Sequence, residues 1–249
     1  MLDYSIIIPA YNEELYLGRT LHSVIGAVKD LPEQGEIIVV DNNSTDRTAQ
    51  IANEFGVRVL FEPINQISRA RNKGGFNAQG KYLIFIDADC LVYKELVCEA
   101  LESLQSGGMS GGGALIQMAE ELKPFYKGAL GFVNWIASKF LLSPGGFLFT
   151  LKEAFDEIGG FDERVYASEE IWYSIKLKKW AKQRGLGFNL IKDKRFITSN
   201  RKIDKPASMM LQAVVGIVFP FTIYFKRLCW LWYPKKRGIK NVSETKNEQ

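Results

Sequence analysis

The run Lys81-Tyr-Leu-Ile-Phe-Ile-Asp-Ala-Asp-Cys90 constrains the fold more than any other stretch of this chain. Residues 82–86 are apolar without a break, at both odd and even positions, and too few for a helix of useful length. Such a strand belongs in the middle of a sheet covered by helices on both faces. It stops at two carboxylates, Asp87 and Asp89. Ligands of open α/β sheets collect beyond the carboxyl ends of the strands. A pair of aspartates delivered there is either a hard-cation site or a solvated turn after a buried strand.

Two more apolar runs end in the same manner. Tyr4-Ser-Ile-Ile-Ile-Pro-Ala10 leads into Tyr11, Asn12 and Glu13, and Glu36-Ile-Ile-Val-Val-Asp41 leads into a polar turn, Asn42-Asn-Ser-Thr-Asp46. Between them Leu17, Leu21, Val24 and Val28 fall on one helical face. A helix to about residue 55, a strand over 57–61 and a helix over 66–78 follow. The alternation predicts an α/β fold with a mostly parallel central sheet flanked by helices. The third helix is rich in Arg69, Arg71, Asn72 and Lys73, and of these charges Arg71 and Lys73 read as solvated. Gly-x-Gly-x-x-Gly and the P-loop pattern are both absent, which argues against an ordinary dinucleotide or P-loop site.

Charge and composition remove other classes. From Lys226 onward there are seven basic and two acidic residues, a surplus larger than the net +4 of the whole chain. The remainder is about neutral, so no broad nucleic-acid-binding surface is expected. Three cysteines without Cys-x-x-Cys spacing suit a reducing, cytoplasmic setting, and the start, Met-Leu-Asp-Tyr, runs straight into a strand with no sign of a signal peptide. His22 is the only histidine. Histidine-based nucleophilic catalysis within one chain is thereby excluded, and acid–base work falls to carboxylates, Tyr or Lys.

Four motifs in order, Ser5-Ile-Ile-Ile-Pro-Ala-Tyr-Asn-Glu-Glu14, Val39-Val-Asp-Asn-Asn-Ser-Thr-Asp46, Ala70-Arg-Asn72 and Ile86-Asp-Ala-Asp89, closely resemble family 2 glycosyltransferases of the GT-A fold. The resemblance extends from Asp3 to about Arg201. It implies a nucleotide-diphosphosugar donor, a hydroxyl acceptor, an inverting mechanism and Mg2+ or Mn2+. On that likeness Pro9, Ala10, Tyr11 and Glu13 contact the nucleoside and Asp41 accepts from a uracil ring. Arg69 lies near the donor phosphates, Asp87 near ribose or sugar, and Asp89 on the metal. Arg201, in Arg195-Phe-Ile-Thr-Ser-Asn-Arg201, neutralises the leaving group.

Further along, residues 94–106 read as a helix. Gly107-Gly-Met-Ser-Gly-Gly-Gly113 permits either close backbone approach or a flexible connection before a strand over 114–118. Residues 125–142, aromatic and nearly uncharged, are taken as a core helix, with a membrane-facing or acceptor-lining segment as alternatives. Gly159-Gly-Phe-Asp-Glu163 resembles the family's acceptor loop, which assigns Phe161 and Asp162 to acceptor contact. Ser168-Glu-Glu-Ile-Trp172 opens another helix where relatives carry Glu-Asp. The resemblance makes Glu170 the catalytic base and Glu169 its acceptor-side neighbour. Both also suit a helix N-terminus on electrostatic grounds alone. Relatives often have a further acid where Trp172 stands, a departure that bears on the acceptor. The processive Gln-x-x-Arg-Trp motif is missing.

A catalytic domain over residues 1–204 and a C-terminal segment over 205–249 are expected. Residues 207–225 carry no charge, and Lys226-Arg-Leu-Cys-Trp-Leu-Trp-Tyr-Pro-Lys-Lys-Arg237 alternates cations with aromatics. That composition suits peripheral contact with an anionic membrane, ahead of a true span or a hydrophobic cap. The competing functions are a degenerate scaffold subunit and a sugar-nucleotide pyrophosphorylase. The second would need a glycine-rich loop where Ala10-Tyr-Asn-Glu-Glu14 stands.

Overall fold

A computed structural model describes residues 2–119, 121, 124–199 and 229. Strand β1 (Leu2–Ala10) is followed by α1 (Leu17–Val28), β2 (Gly35–Asp41), α2 (Thr48–Glu54), β3 (Arg58–Phe61), α3 (Ile67–Asn77) and β4 (Gly80–Ile86). Then come β5 (Cys90–Leu91), α4 (Lys94–Gln105), β6 (Met109–Met118), α5 (Pro124–Phe140), β7 (Phe147–Leu151), α6 (Lys152–Ile158), α7 (Glu169–Lys182) and β8 (Gly187–Thr198). The strands form one sheet in the order β3-β2-β1-β4-β7-β6-β8-β5.

The first four strands are parallel, with Ala10 beside Asp41 and Ile7 beside Phe85. Period-two alternation splits their apolar side chains between two cores. Ile6, Ile8, Ile84 and Ile86 face α1 and α4, whereas Ile7, Leu83 and Phe85 face α3, α6 and α7. The continuous apolar run that signals β4 is the consequence of that two-sided burial.

The sheet is mostly parallel as expected, and beyond β4 it becomes mixed. β7 runs antiparallel to both β4 and β6, while β6 and β8 are parallel. The glycine-rich run is no flexible connection: Gly111, Gly112 and Gly113 lie inside β6. A Cβ on Gly112 would sit 1.8 Å from the Asn189 carbonyl oxygen, so glycine there permits close strand approach.

The expectation of a core helix over 125–142 is also overturned. α5 is tied to β6 by Asn134, whose side chain accepts from Ile116 N at 3.1 Å and donates to Ile116 O at 3.0 Å. Ala137 packs with Leu115 and Leu190, and the aromatic side chains of α5 point outward. No helix among the described residues is long and apolar enough to cross a membrane. Arg201 and the C-terminal segment, apart from Cys229, fall outside the described residues.

Candidate active site at the strand ends

The sheet order reverses between β1 and β4, and ligands of doubly wound sheets gather at such a switch point. Ala10, Asp41 and Asp87 all stand at that edge because their strands are parallel neighbours. The loops that follow β1 and β2 are laced together. Asn12 N donates to Ser44 Oγ at 3.0 Å, Thr45 N to Asn12 Oδ1 at 2.8 Å, Glu13 N to Thr48 Oγ1 at 2.7 Å and Glu14 N to Asp46 Oδ2 at 3.1 Å. The polar turn after Asp41 is therefore a fastener for the loop after β1 as well as a chain reversal.

Asp41 is buried, and its Oδ1 accepts from Ser44 N at 3.1 Å, which fixes the carboxylate at the end of β2. Pro9 and Ala10 are buried at the end of β1, Glu13 is buried just beyond, and Tyr11 is half-buried between them. Asp89 is buried with Ser199 Oγ donating to its Oδ2 at 2.7 Å. The backbone between the two aspartates is anchored by Thr20, which donates to Ala88 O at 2.8 Å.

The centre of the site is a residue that sequence reasoning assigned to solvent. Arg71 is 1% exposed. Its guanidinium donates to Glu169 Oε1 at 2.5 Å through Nη1, and through Nη2 to Asp87 Oδ1 at 2.7 Å and Glu170 Oε1 at 2.6 Å. It also stacks over the Phe161 ring at 5.4 Å. Burial alone would pull its pKa down, but the charges of Glu170, Asp87 and Glu169 outweigh burial and hold it above the ordinary value. Arg71 shares a helical face with Gly74 and Gly75, which press against Ile7 and Phe155. That spacing was the available sign that Arg71 points toward the sheet.

Other assigned residues fall elsewhere. Arg69 lies on the outer side of α3, 2.7 Å from Glu163 and 3.5 Å from Glu62, rather than in the carboxylate group. Phe161 is a core residue packed with Phe85, Phe155 and Tyr173, so its ring supports Arg71 from below. Asp162 is occupied by Arg164, whose hydrogen bonds hold its carboxyl down to about 2. Glu169 is buried against Arg71. Glu170 is the partly exposed member of the pair, with 13% of its side-chain surface accessible.

Asn72, also missed, pins the loop after α6. It accepts from Phe161 N at 2.8 Å and donates to Phe161 O and to Glu163 Oε1, both at 3.0 Å. Gly160, at φ +71°, lets this happen, since a Cβ there would meet Asn72 Oδ1 at 2.4 Å. Ser168 then turns the chain in a left-handed conformation (φ 61°, ψ 23°) and aims the first turn of α7 at Arg71. A serine held there stores strain of ~1–3 kcal/mol, a cost often found at functional sites. Cys229 lies buried and within electrostatic reach of Glu169: burial first, then that carboxylate, pushes its thiol up to about 11.

The mixed sheet with helices on both faces is the architecture of GT-A glycosyltransferase structures. The solved structure of Staphylococcus aureus TarS 1-349 with UDP-GlcNAc aligns at TM-score 0.61 and 21% identity, over 80% of this chain and 58% of that one. Glucosyl-3-phosphoglycerate synthase from Mycobacterium tuberculosis, with Mn2+, UDP and glucosyl-3-phosphoglycerate, aligns at 0.60 and 17%, over 87% and 79%. The mannosyltransferase PcManGT from Pyrobaculum calidifontis, with GDP-Man and Mn2+, aligns at 0.64 and 16%, over 92% and 66%.

The chain belongs to glycosyl transferase family 2, whose profile matches residues 5–157. In sequence it is 32% identical over 108 residues to poly(ribitol-phosphate) beta-N-acetylglucosaminyltransferase TarS of Staphylococcus aureus, covering 40% of this chain and 18% of that protein. It thus spans a minor part of that curated relative.

Proposed function

We propose that this chain transfers a sugar from a uridine-diphosphate donor to a hydroxyl of a glycan, lipid-linked sugar or lipid acceptor, with inversion. The observation that carries the reading is the Arg71 junction. One buried guanidinium holds Asp87 from the donor-side strand and Glu170 from the acceptor-side helix, 2.7 and 2.6 Å away. Glu170, with one edge accessible, takes the proton of the acceptor hydroxyl. The acceptor oxygen then bonds to the anomeric carbon as the bond to the diphosphate oxygen breaks, and the departing diphosphate keeps that electron pair. Arg71 holds the carboxylate in place without itself giving up a proton.

Among the described residues no three or more His, Cys, Asp or Glu side chains gather as a metal cage. Mg2+ and Mn2+ on nucleotide substrates need less, taking one or two carboxylates and completing their shell with phosphate oxygens and water. Asp89, an oxygen donor held by Ser199 at the switch point, fits that role, with Asp87 close by in sequence. A cation there would stabilise the negative charge that builds on the departing diphosphate. The relatives solved with Mn2+ support the same reading.

The donor is assigned to uridine because Asp41, fixed by Ser44, offers an acceptor to the ring N–H of uracil. Thermal stabilisation by a panel of nucleotide sugars with Mn2+ tests both points. UDP-sugars should raise Tm more than GDP-sugars, and Asp89→Asn should lose the Mn2+-dependent part while keeping its own melting temperature. Greater stabilisation by GDP-sugars, or full Mn2+ dependence in Asp89→Asn, would overturn the respective assignment.

A further inference from the structure

α5 is built inside out. The side turned to the protein offers Asn134 and Ala137, one polar and one small, whereas the side turned to water carries Phe125, Phe132, Val133, Trp135 and Phe140. Phe132 and Trp135 are 58% and 54% exposed and stack on each other. A surface helix of a water-soluble face has the opposite distribution. The only charges on α5 are Lys127 and Lys139, and Lys139 lies over the Trp135 ring at 5.0 Å. A cation alongside an aromatic belt, with no acid between, matches an anionic lipid surface: rings enter the headgroup boundary while the ammonium groups remain among phosphates.

The face continues toward the active site. Lys178 of α7 donates to the Phe140 carbonyl at 2.8 Å, and Ser143 N to Ser174 Oγ at 3.3 Å, so the end of α5 is fastened to α7. On α7 the outward residues are Ile171, Trp172 and Ile175, followed by Lys176 and Lys179. Both helices thus expose apolar side chains together with lysines, and the α7 portion begins one residue after Glu170.

We propose that the outer face of α5, extended by the first two turns of α7, is a docking surface for an anionic lipid bilayer. This surface belongs to the catalytic domain and is distinct from the aromatic-basic C-terminal stretch. Docking there would set the Glu170 side of the site against the membrane.

The test uses the full chain and flotation with phosphatidylcholine vesicles containing phosphatidylglycerol, without donor or acceptor, so it does not depend on the proposed transfer reaction. The wild type should float with these vesicles. Each aromatic ring withheld from the lipid should lower partitioning roughly tenfold, so Phe132→Ser with Trp135→Ser should lower it about 100-fold. Both positions are exposed, and the double variant should retain the wild-type melting temperature. Lys127→Gln with Lys139→Gln should weaken binding to anionic vesicles and leave binding to pure phosphatidylcholine unchanged. Three results would overturn the proposal. The wild type could remain unbound. The aromatic double variant could float like wild type, which would put the anchor in residues 200–249. Sedimentation could reveal a dimer that the double variant dissolves, which would make the face a contact between copies.

Discussion

Replacing Glu170 by glutamine should lower turnover ~10²–10⁴-fold, the usual contribution of a positioned proton acceptor. Donor and Mn2+ binding should change little, because the amide keeps the shape and can still accept from Arg71. Glu170 is the member of the acidic pair with accessible surface, and it sits at the first turn of α7, sharing Arg71 with Asp87. Glu169→Gln is the informative partner variant. From sequence it reads as a control for helix-end charge, but its carboxylate is buried against Arg71. Its loss should act on stability and pH response, with a far smaller effect on turnover. Single-turnover rates for both variants at saturating donor would check this. Equal, mild losses would remove Glu170 from the mechanism, and a severe loss in Glu169→Gln alone would move the base by one residue.

Arg71→Met should cost the fold ~3–5 kcal/mol, the range expected when one partner of a buried charge network is removed. Methionine fills much of the same volume, so the loss reports charge rather than cavity. Asp87, Glu169 and Glu170 would be left close together without a cation. Even in the wild type one guanidinium cannot neutralise three carboxylates. Burial first, and then the charge of Glu170, pushes Glu169 from its ordinary 4.5 up to about 7, against the pull of Arg71. The folded state therefore binds that proton more tightly than the unfolded chain does. Stability from this source is complete below about pH 4.5 and is lost as pH rises through about 7. Urea unfolding across that window should show the decline in wild type, a steeper one in Arg71→Met, and a flattened one in Glu169→Gln. A wild-type profile that rises with pH across the window would contradict the assignment.

Much of the fold was legible in the chain. The apolar runs ending at Ala10, Asp41 and Ile86 are strands because they are buried on two faces, and alternation with amphipathic helices makes them parallel neighbours. Their polar residues meet at one edge as a geometric consequence. What lay beyond β4 was less legible. Whether β7 pairs parallel or antiparallel depends on where its neighbours already lie, and a five-residue apolar strand carries no mark of direction. The glycines of β6 could be flexible or tightly packed, and only the proximity of β7 and β8 decides between these.

Residue types, their spacing and their order along the chain determined the α/β class, the family and the candidate carboxylates. Tertiary structure decided which charge stands among those carboxylates. Arg69 and Arg71 are two residues apart on one helix, about 200° around its axis. The same sequence pattern therefore sends one outward to Glu62 and Glu163 and the other inward to Asp87, Glu169 and Glu170. The direction of α5 was decided in the same way. An aromatic helix is apolar wherever it lies, and the Asn134 clasp on Ile116 turned its rings away from the core. Local composition sets what a side chain can bind; partners brought together from nearly one hundred residues away set what it does bind.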